Sequence, residues 1–289
     1  MLKRERVWTA LTGRVTDRPP LGEILLEEAW LQAAGFPGLA AALEQLQADL
    51  AVLPLTPRTG RPATNWQEWR QREIFLFGSF QGPVTFFSER LGWHAFSRLI
   101  IKQPVETRTL LQQYLSAAAE QAIAALQAGC DGIVVFDDLA GDKGLLINPK
   151  FFSDSYFPLL QQVLGRLDCA HVPVVFHSDG NIVSLVPALR EAGFWGIQGL
   201  QPLLGITPAL FQDQKDWIYW GNFDFEGQGR LKTAAEAEQD VVRLLDAWQD
   251  FPGFLFGSSG GLYKGLPWPA IGAAYKAAAN WRRQTNATT

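Results

Sequence analysis

The chain has 289 residues, of which 47% are hydrophobic and 19% are charged, and its formal net charge at pH 7 is −4. This composition is typical of a globular protein with a large core, and it excludes the basic surface of a nucleic-acid-binding protein. Because no apolar run reaches the roughly 18 residues that a membrane span needs and the first residues lack a signal-peptide core, we expect a soluble, cytoplasmic protein without a membrane partner.

Short apolar runs bounded by turn residues predict eight strands, and most runs are continuous, as in parallel strands covered by helices. In chain order they are residues 21–26, 50–55, 74–77, 132–136, 172–176, 195–200, 217–220 and 254–256. Helical patterns lie over residues 107–127, 182–192, 233–248 and 267–283, with a short helix at 66–72. This alternation predicts an α/β fold, a single (β/α)8 TIM barrel whose one domain spans residues 1–289.

Polar side chains follow the predicted strands where each strand ends. They are Asp137 and Asp138 after the fourth run, His177 and Asp179 after the fifth, Gln198 and Gln201 in the sixth and directly after it, Asn222 and Asp224 after the seventh, and Ser258 and Ser259 after the eighth. In such barrels the reactive groups lie at the carboxyl ends of the strands. We therefore expect these side chains to converge on one cavity.

Side-chain alternation places His177 and Asp179 on one face of their strand. Of the neighbours Asp137 and Asp138, we expect Asp137 to face the cavity, because it shares a face with Val135, and Asp138 to pair with a nearby loop, for example with Lys143. Other interpretations remain open. Asp179 is also a suitable cap for the helix that follows, and Asn222, Asp224 and the glycine-rich residues 257–261 are also typical of turns.

Several segments together resemble the uroporphyrinogen decarboxylase superfamily, which includes corrinoid-dependent methyltransferases. They are RERVWTALTGRVTDRPPLGE at 4–23, GPVTFF at 82–87, the aspartate-bearing stretch at 128–158, HSDGNI at 177–182, GNFD at 221–224 and GSSGGLYKGLP at 257–267. The resemblance covers nearly the whole chain in the expected order. It implies a TIM barrel that acts on a tetrapyrrole or a corrinoid.

The chain departs from the decarboxylase branch of this superfamily at three places. Residues 27–47 contain none of the arginines that hold the acidic side chains of the porphyrinogen, and residues 53–60 lack the aspartate that binds its pyrrole N–H groups. The Gly-His-Gly of the last strand is replaced by Ser258-Ser259-Gly260-Gly261. Since an octa-anionic substrate needs cations, these losses argue against porphyrinogen decarboxylation.

The zinc methyltransferases of the superfamily use a His-x-Cys on the fifth strand and a cysteine on the last. Here His177 is retained, Asp179 replaces the first cysteine, and serines stand at the second position. The two cysteines of the chain, Cys130 and Cys169, lie outside any CxxC pattern. A thiolate-rich zinc site is therefore absent, whereas a site for zinc or another divalent metal on His177 and Asp179 needs Asp137, Asp138 or Asp224 as a further ligand.

The leading hypothesis is transfer of a methyl or other one-carbon group to or from a corrinoid that a partner protein carries. In it, His177, Asp179 and Asp137 are catalytic, while Asn222, Asp224, Gln198, Gln201, Ser258 and Ser259 bind the substrate. One alternative is a decarboxylase of porphyrin biosynthesis. A second is a tetrapyrrole-binding barrel that has lost its chemistry.

Overall fold

The computed structural model describes residues 1–55, 64–225 and 231–283. Its helices are α1 (Lys3–Leu11), α2 (Glu28–Ala33), α3 (Leu39–Gln45), α4 (Trp66–Arg70), α5 (Pro83–Leu91), α6 (Trp93–Lys102), α7 (Pro104–Ala128), α8 (Pro149–Phe151), α9 (Phe157–Arg166), α10 (Val186–Ala192), α11 (Ala234–Trp248) and α12 (Trp268–Asn280). Its strands are β1 (Leu50–Pro54), β2 (Phe75–Gln81), β3 (Gly132–Phe136), β4 (Ala140–Gly141), β5 (Gly144–Leu145), β6 (Val174–His177), β7 (Gly196–Gln198), β8 (Ile218–Phe223) and β9 (Phe254–Ser258). Together they form an α/β fold.

Helix boundaries follow the start and stop signals in the sequence. Helix α7 begins with a proline in its first turn and ends at Gly129, whose φ of 112° suits a glycine in the left-handed region. Helix α11 begins after Thr233, whose hydroxyl accepts from the backbone N–H of Glu236 while the Glu236 carboxylate accepts from Thr233, which is a complete capping box. The predicted helix over 182–192 is an α-helix only from Val186, after one 3-10 turn, with a proline in its first turn.

Strands of the described residues form a seven-stranded sheet in the order β1-β2-β3-β6-β7-β8-β9. The pairs β2–β3, β3–β6 and β8–β9 are parallel, as the continuous apolar runs predicted. Strand β2 continues to Gln81, four residues beyond the end of the predicted run at residue 77. Strands β4 and β5 form a separate antiparallel hairpin that periodicity did not reveal, because each strand has only 2 residues.

The closed eight-stranded barrel is confirmed only in part, because residues 21–26 do not form the predicted first strand. In the described part of the chain this segment contributes two isolated parallel bridges, Leu21 to Phe256 and Leu26 to Leu262. Between these bridges, a regular ladder of hydrogen bonds is interrupted by side chains.

Two side chains cause this interruption. The Gly22 N–H donates to the Phe256 carbonyl at 3.0 Å, which begins a ladder. The next rung would join the Ser258 N–H to the Gly22 carbonyl. Instead, the Trp220 indole N–H donates to that carbonyl at 3.0 Å, and the Ser258 N–H donates to the Glu23 carboxylate at 3.0 Å. A glutamate inside an apolar run thus replaces a backbone partner.

The described chain forms two compact units. The terminal unit comprises Met1–Ala51, Glu73–Phe75 and Gln198–Thr289, and the central unit comprises Val52–Arg72 and Leu76–Ile197. The terminal unit has an aromatic core in which Trp248 stacks on Phe254 with 4.8 Å between ring centroids. The core of the central unit includes the buried residues of α7 and the apolar strands β3 and β6. The prediction of a single domain stays a prediction.

A buried ion cluster fixes the start of the terminal unit. Asp49 is fully buried and forms ion pairs with Arg6 at 2.5 Å and Arg18 at 2.6 Å, and it also accepts the Leu21 N–H at 2.8 Å. Arg6 reaches the half-exposed Asp17 at 2.7 Å as well. These contacts join α1 to the segment that follows it.

Within the described residues, no helix has the length and hydropathy of a membrane span.

Candidate functional site

The central unit brings the ends of β3 and β6 together. In the parallel register Phe136 is the partner of His177, and their rings lie 4.8 Å apart between centroids. Paired residues of neighbouring strands point to the same face. Because side chains alternate, Asp138 and Asp179, two residues beyond each partner, are placed on the face of His177.

Asp138, His177 and Asp179 form the site that we call the Asp-His-Asp cluster. One ligand atom from each residue lies within 4.8 Å of the others. His177 is buried with 6% exposure, and both carboxylates are half-buried. The Asp179 N–H donates to Asp138 Oδ1 at 2.9 Å, so backbone and side chain link the two halves of the cluster.

The register therefore selects Asp138 where the sequence favoured Asp137. The alternation of Val135 with Asp137 is correct within β3, but the register across the two strands is what decides which aspartate shares a face with His177. Such a register is set by tertiary pairing and cannot be read from one strand. Asp138 accepts the Asp179 N–H at 2.9 Å, and its expected ion pair with Lys143 stays a prediction.

Asp137 instead anchors the start of helix α5. Its carboxylate is fully buried and accepts the N–H groups of Val84 at 3.2 Å and Thr85 at 2.6 Å, and the Tyr156 hydroxyl at 2.7 Å. Burial raises the pKa of Asp137 to about 6, and these hydrogen bonds partly oppose the rise. Gly82 is needed beside it, since a Cβ there would lie 2.3 Å from the Asp137 carboxyl carbon. The predicted catalytic role of Asp137 stays a prediction, and both of its oxygens already accept hydrogen bonds.

Asp179 has a buried oxygen without a protein partner. Its Oδ1 is shielded from solvent and forms no hydrogen bond. Burial raises the pKa of Asp179, the charge of Asp138 raises it further, and His177 opposes the rise. A buried polar atom without a partner costs free energy, and a ligand that supplies positive charge removes that cost. The Oδ1 atom of Asp179 is therefore available to bind a cation.

The donor set of the cluster fits a divalent metal ion. One imidazole nitrogen and two carboxylates are accepted ligands of Zn²⁺, Mn²⁺ and Fe²⁺, whereas soft metals prefer the thiolates that this site lacks. The spacing of the donor atoms and the unsatisfied Asp179 oxygen agree with this assignment. His177 and Asp179, the predicted metal ligands, are therefore brought together, and Asp138 joins them.

The side chain of Asn222, in the terminal unit, forms hydrogen bonds to the backbone and to a buried tryptophan. Its side-chain amide donates to the carbonyls of Leu200 and Ile206, and its oxygen accepts the Trp248 indole N–H at 3.0 Å. Its φ of 81° lies in the left-handed region, which asparagine tolerates better than most residues. The turn interpretation describes these contacts, and substrate binding by Asn222 stays a prediction.

The other predicted substrate-binding residues also belong to the terminal unit. Gln198 is buried and donates to the carbonyls of Ser258 at 2.9 Å and Ser259 at 3.2 Å. The Ser259 hydroxyl donates to the Phe223 carbonyl at 3.1 Å. Gln201 and Asp224 are half-buried. The convergence of these side chains with the Asp-His-Asp cluster on one cavity stays a prediction.

Sequence reasoning missed a buried carboxyl group at Glu23. It accepts hydrogen bonds from the hydroxyls of Ser258 and Tyr275, and it is 1% exposed. Burial raises its pKa to about 7, and its hydrogen bonds oppose the rise. The signal was present in the sequence, since a glutamate inside the run LGEILL must either face solvent or find buried partners.

Comparison with known proteins agrees with the family resemblance of the sequence motifs. The family described as Uroporphyrinogen decarboxylase (URO-D) matches residues 66–281 of this chain. The Methylcobamide:CoM methyltransferase MtaA of Methanosarcina barkeri is 26% identical over 129 residues, which are 43% of this chain and 35% of that protein. The uroporphyrinogen decarboxylase of Pelobacter propionicus is 24% identical over 170 residues, 59% of this chain and 48% of that protein. The chain thus spans less than half of the length of either curated relative.

A solved structure supports the shared fold. The methyltransferase from Methanosarcina mazei superposes with a TM-score of 0.77 at 16% sequence identity, over 96% of this chain and 98% of that chain. At this identity the likeness establishes the architecture alone. Part of one compared motif, residues 53–60, lies outside the described residues from position 56 onward.

Proposed function

We propose, from the premise that the chain belongs to the uroporphyrinogen decarboxylase (URO-D) family, that it transfers a methyl or other one-carbon group to or from a corrinoid. The observation that carries the proposal is the Asp-His-Asp cluster, with its buried histidine and its unsatisfied Asp179 oxygen. The similarity to a methylcobamide methyltransferase supports the choice of reaction. The corrinoid is proposed to arrive on a carrier protein.

The chemistry of the cluster follows from its three side chains. Asp138, His177 and Asp179 would hold a divalent ion, which when bound supplies a Lewis acid for the methyl acceptor or the leaving atom. A ring nitrogen of His177 is also the proposed proton acceptor where no metal is bound. His177 is buried, and a buried position of this kind would keep bulk water away from the transferred group. Asp138, fixed by the Asp179 N–H, orients the acceptor.

Methyl transfer is tested with the purified chain, methylcobalamin, and thiol, phenol and amine acceptors. Demethylation is followed through the absorption spectrum of the corrinoid. We expect turnover with at least one acceptor class, and His177→Ala should lower it by about 100-fold or more, as loss of a general base does. The control is His171→Ala, because His171 is exposed and pairs with Asp168 outside the cluster. No demethylation with any acceptor would contradict the proposal.

A second candidate is decarboxylation of a tetrapyrrole carboxylate, which the match to a uroporphyrinogen decarboxylase favours. Incubation of uroporphyrinogen with the chain, followed by chromatography of the products, tests this candidate, and unchanged substrate would exclude it.

A non-catalytic barrel is the third candidate. It predicts quenching of Trp fluorescence by a tetrapyrrole without turnover of any substrate above.

A further inference from the structure

We infer that Ser178 is a positioning residue that sets the spacing between the two halves of the Asp-His-Asp cluster. The inference rests on the proposed function, because it concerns the same site. Asp138 follows β3, whereas His177 and Asp179 belong to β6 and the turn after it. The distance between their donor atoms therefore depends on what joins these two strand ends beyond the sheet.

Ser178 makes that connection with one hydroxyl group. It is fully buried, it accepts the Leu139 N–H at 3.1 Å, and it donates to the Asp179 carbonyl at 2.7 Å. Leu139 is the residue after Asp138, so the hydroxyl ties the backbone beside one carboxylate to the backbone of the other. The Asp179 N–H also donates to Asp138 Oδ1 at 2.9 Å, so a second hydrogen bond connects the same two strand ends.

The β4–β5 hairpin supports the same turn from the other side. The Asn181 N–H donates to the Gly141 carbonyl at 3.1 Å. Gly180 has a φ of 80°, and a Cβ on it would lie 2.4 Å from the Ala140 carbonyl oxygen. Only glycine permits this close approach. The turn at 177–181 is therefore held against the segment that follows Asp138 at three successive positions.

Ser178 acts through its neighbours rather than on a substrate. Its proton is donated to a carbonyl, its oxygen accepts an N–H, and the residue has no exposed surface. Groups that orient metal ligands without touching the metal typically change metal affinity by about 10- to 100-fold when they are removed. Ser178 meets that description for both carboxylates at once.

The test measures binding of Mn²⁺, Co²⁺ and Zn²⁺ to the full-length chain by calorimetry, and reads ligand geometry from the visible absorption of bound Co²⁺. We expect Ser178→Ala to bind each ion about 10- to 100-fold more weakly, and Ser178→Thr, which keeps the hydroxyl, to recover most of the loss. Asp138→Asn removes a ligand and serves as the positive control. Thr107→Val is the matched control, since it removes a buried hydroxyl that donates to the Gln103 carbonyl in α7.

The outcomes separate this inference from the proposed function. If Ser178→Ala binds metal like the wild type while Asp138→Asn does not, the role of Ser178 is overturned and the metal site stands. If the wild type binds none of the three ions, the metal site is overturned and the inference with it. If Ser178→Ala does not fold, Gly180→Ala decides. It should weaken binding without altering a ligand, and unchanged affinity would refute the inference.

Discussion

At the scale of single residues, the Asp-His-Asp cluster combines features that stability alone would not select. A carboxylate oxygen of Asp179 is buried without a partner, and a second carboxylate, that of Asp138, lies beside it. Both desolvation and like charge disfavour the ionised form of Asp179. An arrangement that costs free energy in the free protein is typical of a site organised for a ligand.

Asp179→Asn should therefore separate stability from binding. We expect the metal-free variant to unfold at a temperature equal to or higher than the wild type, because the like charge beside Asp138 is gone. We also expect Mn²⁺ affinity to fall by at least about 10-fold, since a charged ligand is lost. Differential scanning calorimetry with and without Mn²⁺ measures both. Asp213→Asn, at an exposed position, is the control, and loss of stability with unchanged affinity would contradict this view of Asp179.

Gly82 provides a second prediction at the residue scale. A Cβ at this position would lie 2.3 Å from the Asp137 carboxyl carbon, so Gly82→Ala must displace the anchor of α5. Overpacking of this kind costs about 1–3 kcal/mol of unfolding free energy. Gly165→Ala is the matched control, because that helical glycine has no atom within 4 Å of its would-be Cβ and should gain up to about 1 kcal/mol. Urea unfolding of both variants is the measurement, and equal effects would refute the argument.

At the scale of elements, the sequence was informative where local chemistry decides and silent where tertiary pairing decides. Helix α7 and helix α11 follow from Gly129 and from the Thr233–Glu236 capping box. The first predicted strand failed, because the Trp220 and Glu23 side chains occupy its ladder positions. The sequence shows the glutamate inside the apolar run but not the partners that it finds across the sheet.

The candidate site divides in the same way. The position of His177 and Asp179 at a strand end was visible in the run VPVVFHSDGNI. The choice of Asp138 over Asp137 required the register of β3 against β6, which is a relation between two segments about forty residues apart. Ser178 carried no signal of its own, since its role depends on a hydrogen bond from Leu139.

The ion cluster around Asp49 joins elements rather than residues. Asp49→Asn leaves Arg6 and Arg18 buried without their shared counter-ion, and breaking such a buried network costs about 3–5 kcal/mol of unfolding free energy. Asp17→Asn is the control, because the Asp17 side chain is 38% exposed and pairs with Arg6 and, at 3.8 Å, with the N-terminal amine, without touching Arg18. We expect the control to cost about 1 kcal/mol or less. Thermal unfolding distinguishes them, and a small effect of Asp49→Asn would show that the cluster does not organise the terminal unit.

At the scale of the whole molecule, membership in the family and the sequence departures must be considered together. The solved methyltransferase shares the architecture along 96% of the chain, yet its sequence identity of 16% leaves the site free to differ. Asp179 and the serines of the last strand stand where the zinc methyltransferases have cysteines, and the arginines of the decarboxylases are missing from residues 27–47. The fold is therefore kept while the residue types at its strand ends differ.

Buried carboxyl groups in both units predict how the stability of the molecule depends on pH. Glu23 has a folded pKa of about 7 against 4.5 unfolded, and Asp137 about 6 against 3.8. Between these values the folded protein keeps protons that the unfolded chain releases, so raising the pH favours unfolding. The free energy of unfolding should fall between about pH 4 and 7 and level off above that range. Asp17, whose pKa is lowered to about 2, acts in the opposite direction only at lower pH.

Urea unfolding of wild type and Glu23→Gln at pH 5 and pH 7.5 tests this dependence. A shift of one pKa unit corresponds to about 1.4 kcal/mol, so Glu23 contributes on the order of 3 kcal/mol to the fall. The variant keeps a polar group for Ser258 and Tyr275 and should lose this part of the pH dependence. Compared with the wild type, the variant should therefore have a relatively larger free energy of unfolding at pH 7.5 than at pH 5. Glu44→Gln, at an exposed position in α3, should keep the wild-type slope. If the free energy of unfolding of Glu23→Gln changed with pH as in the wild type, Glu23 would be ionised in the folded protein. Its charge would then be stabilised by the hydrogen bonds from Ser258 and Tyr275.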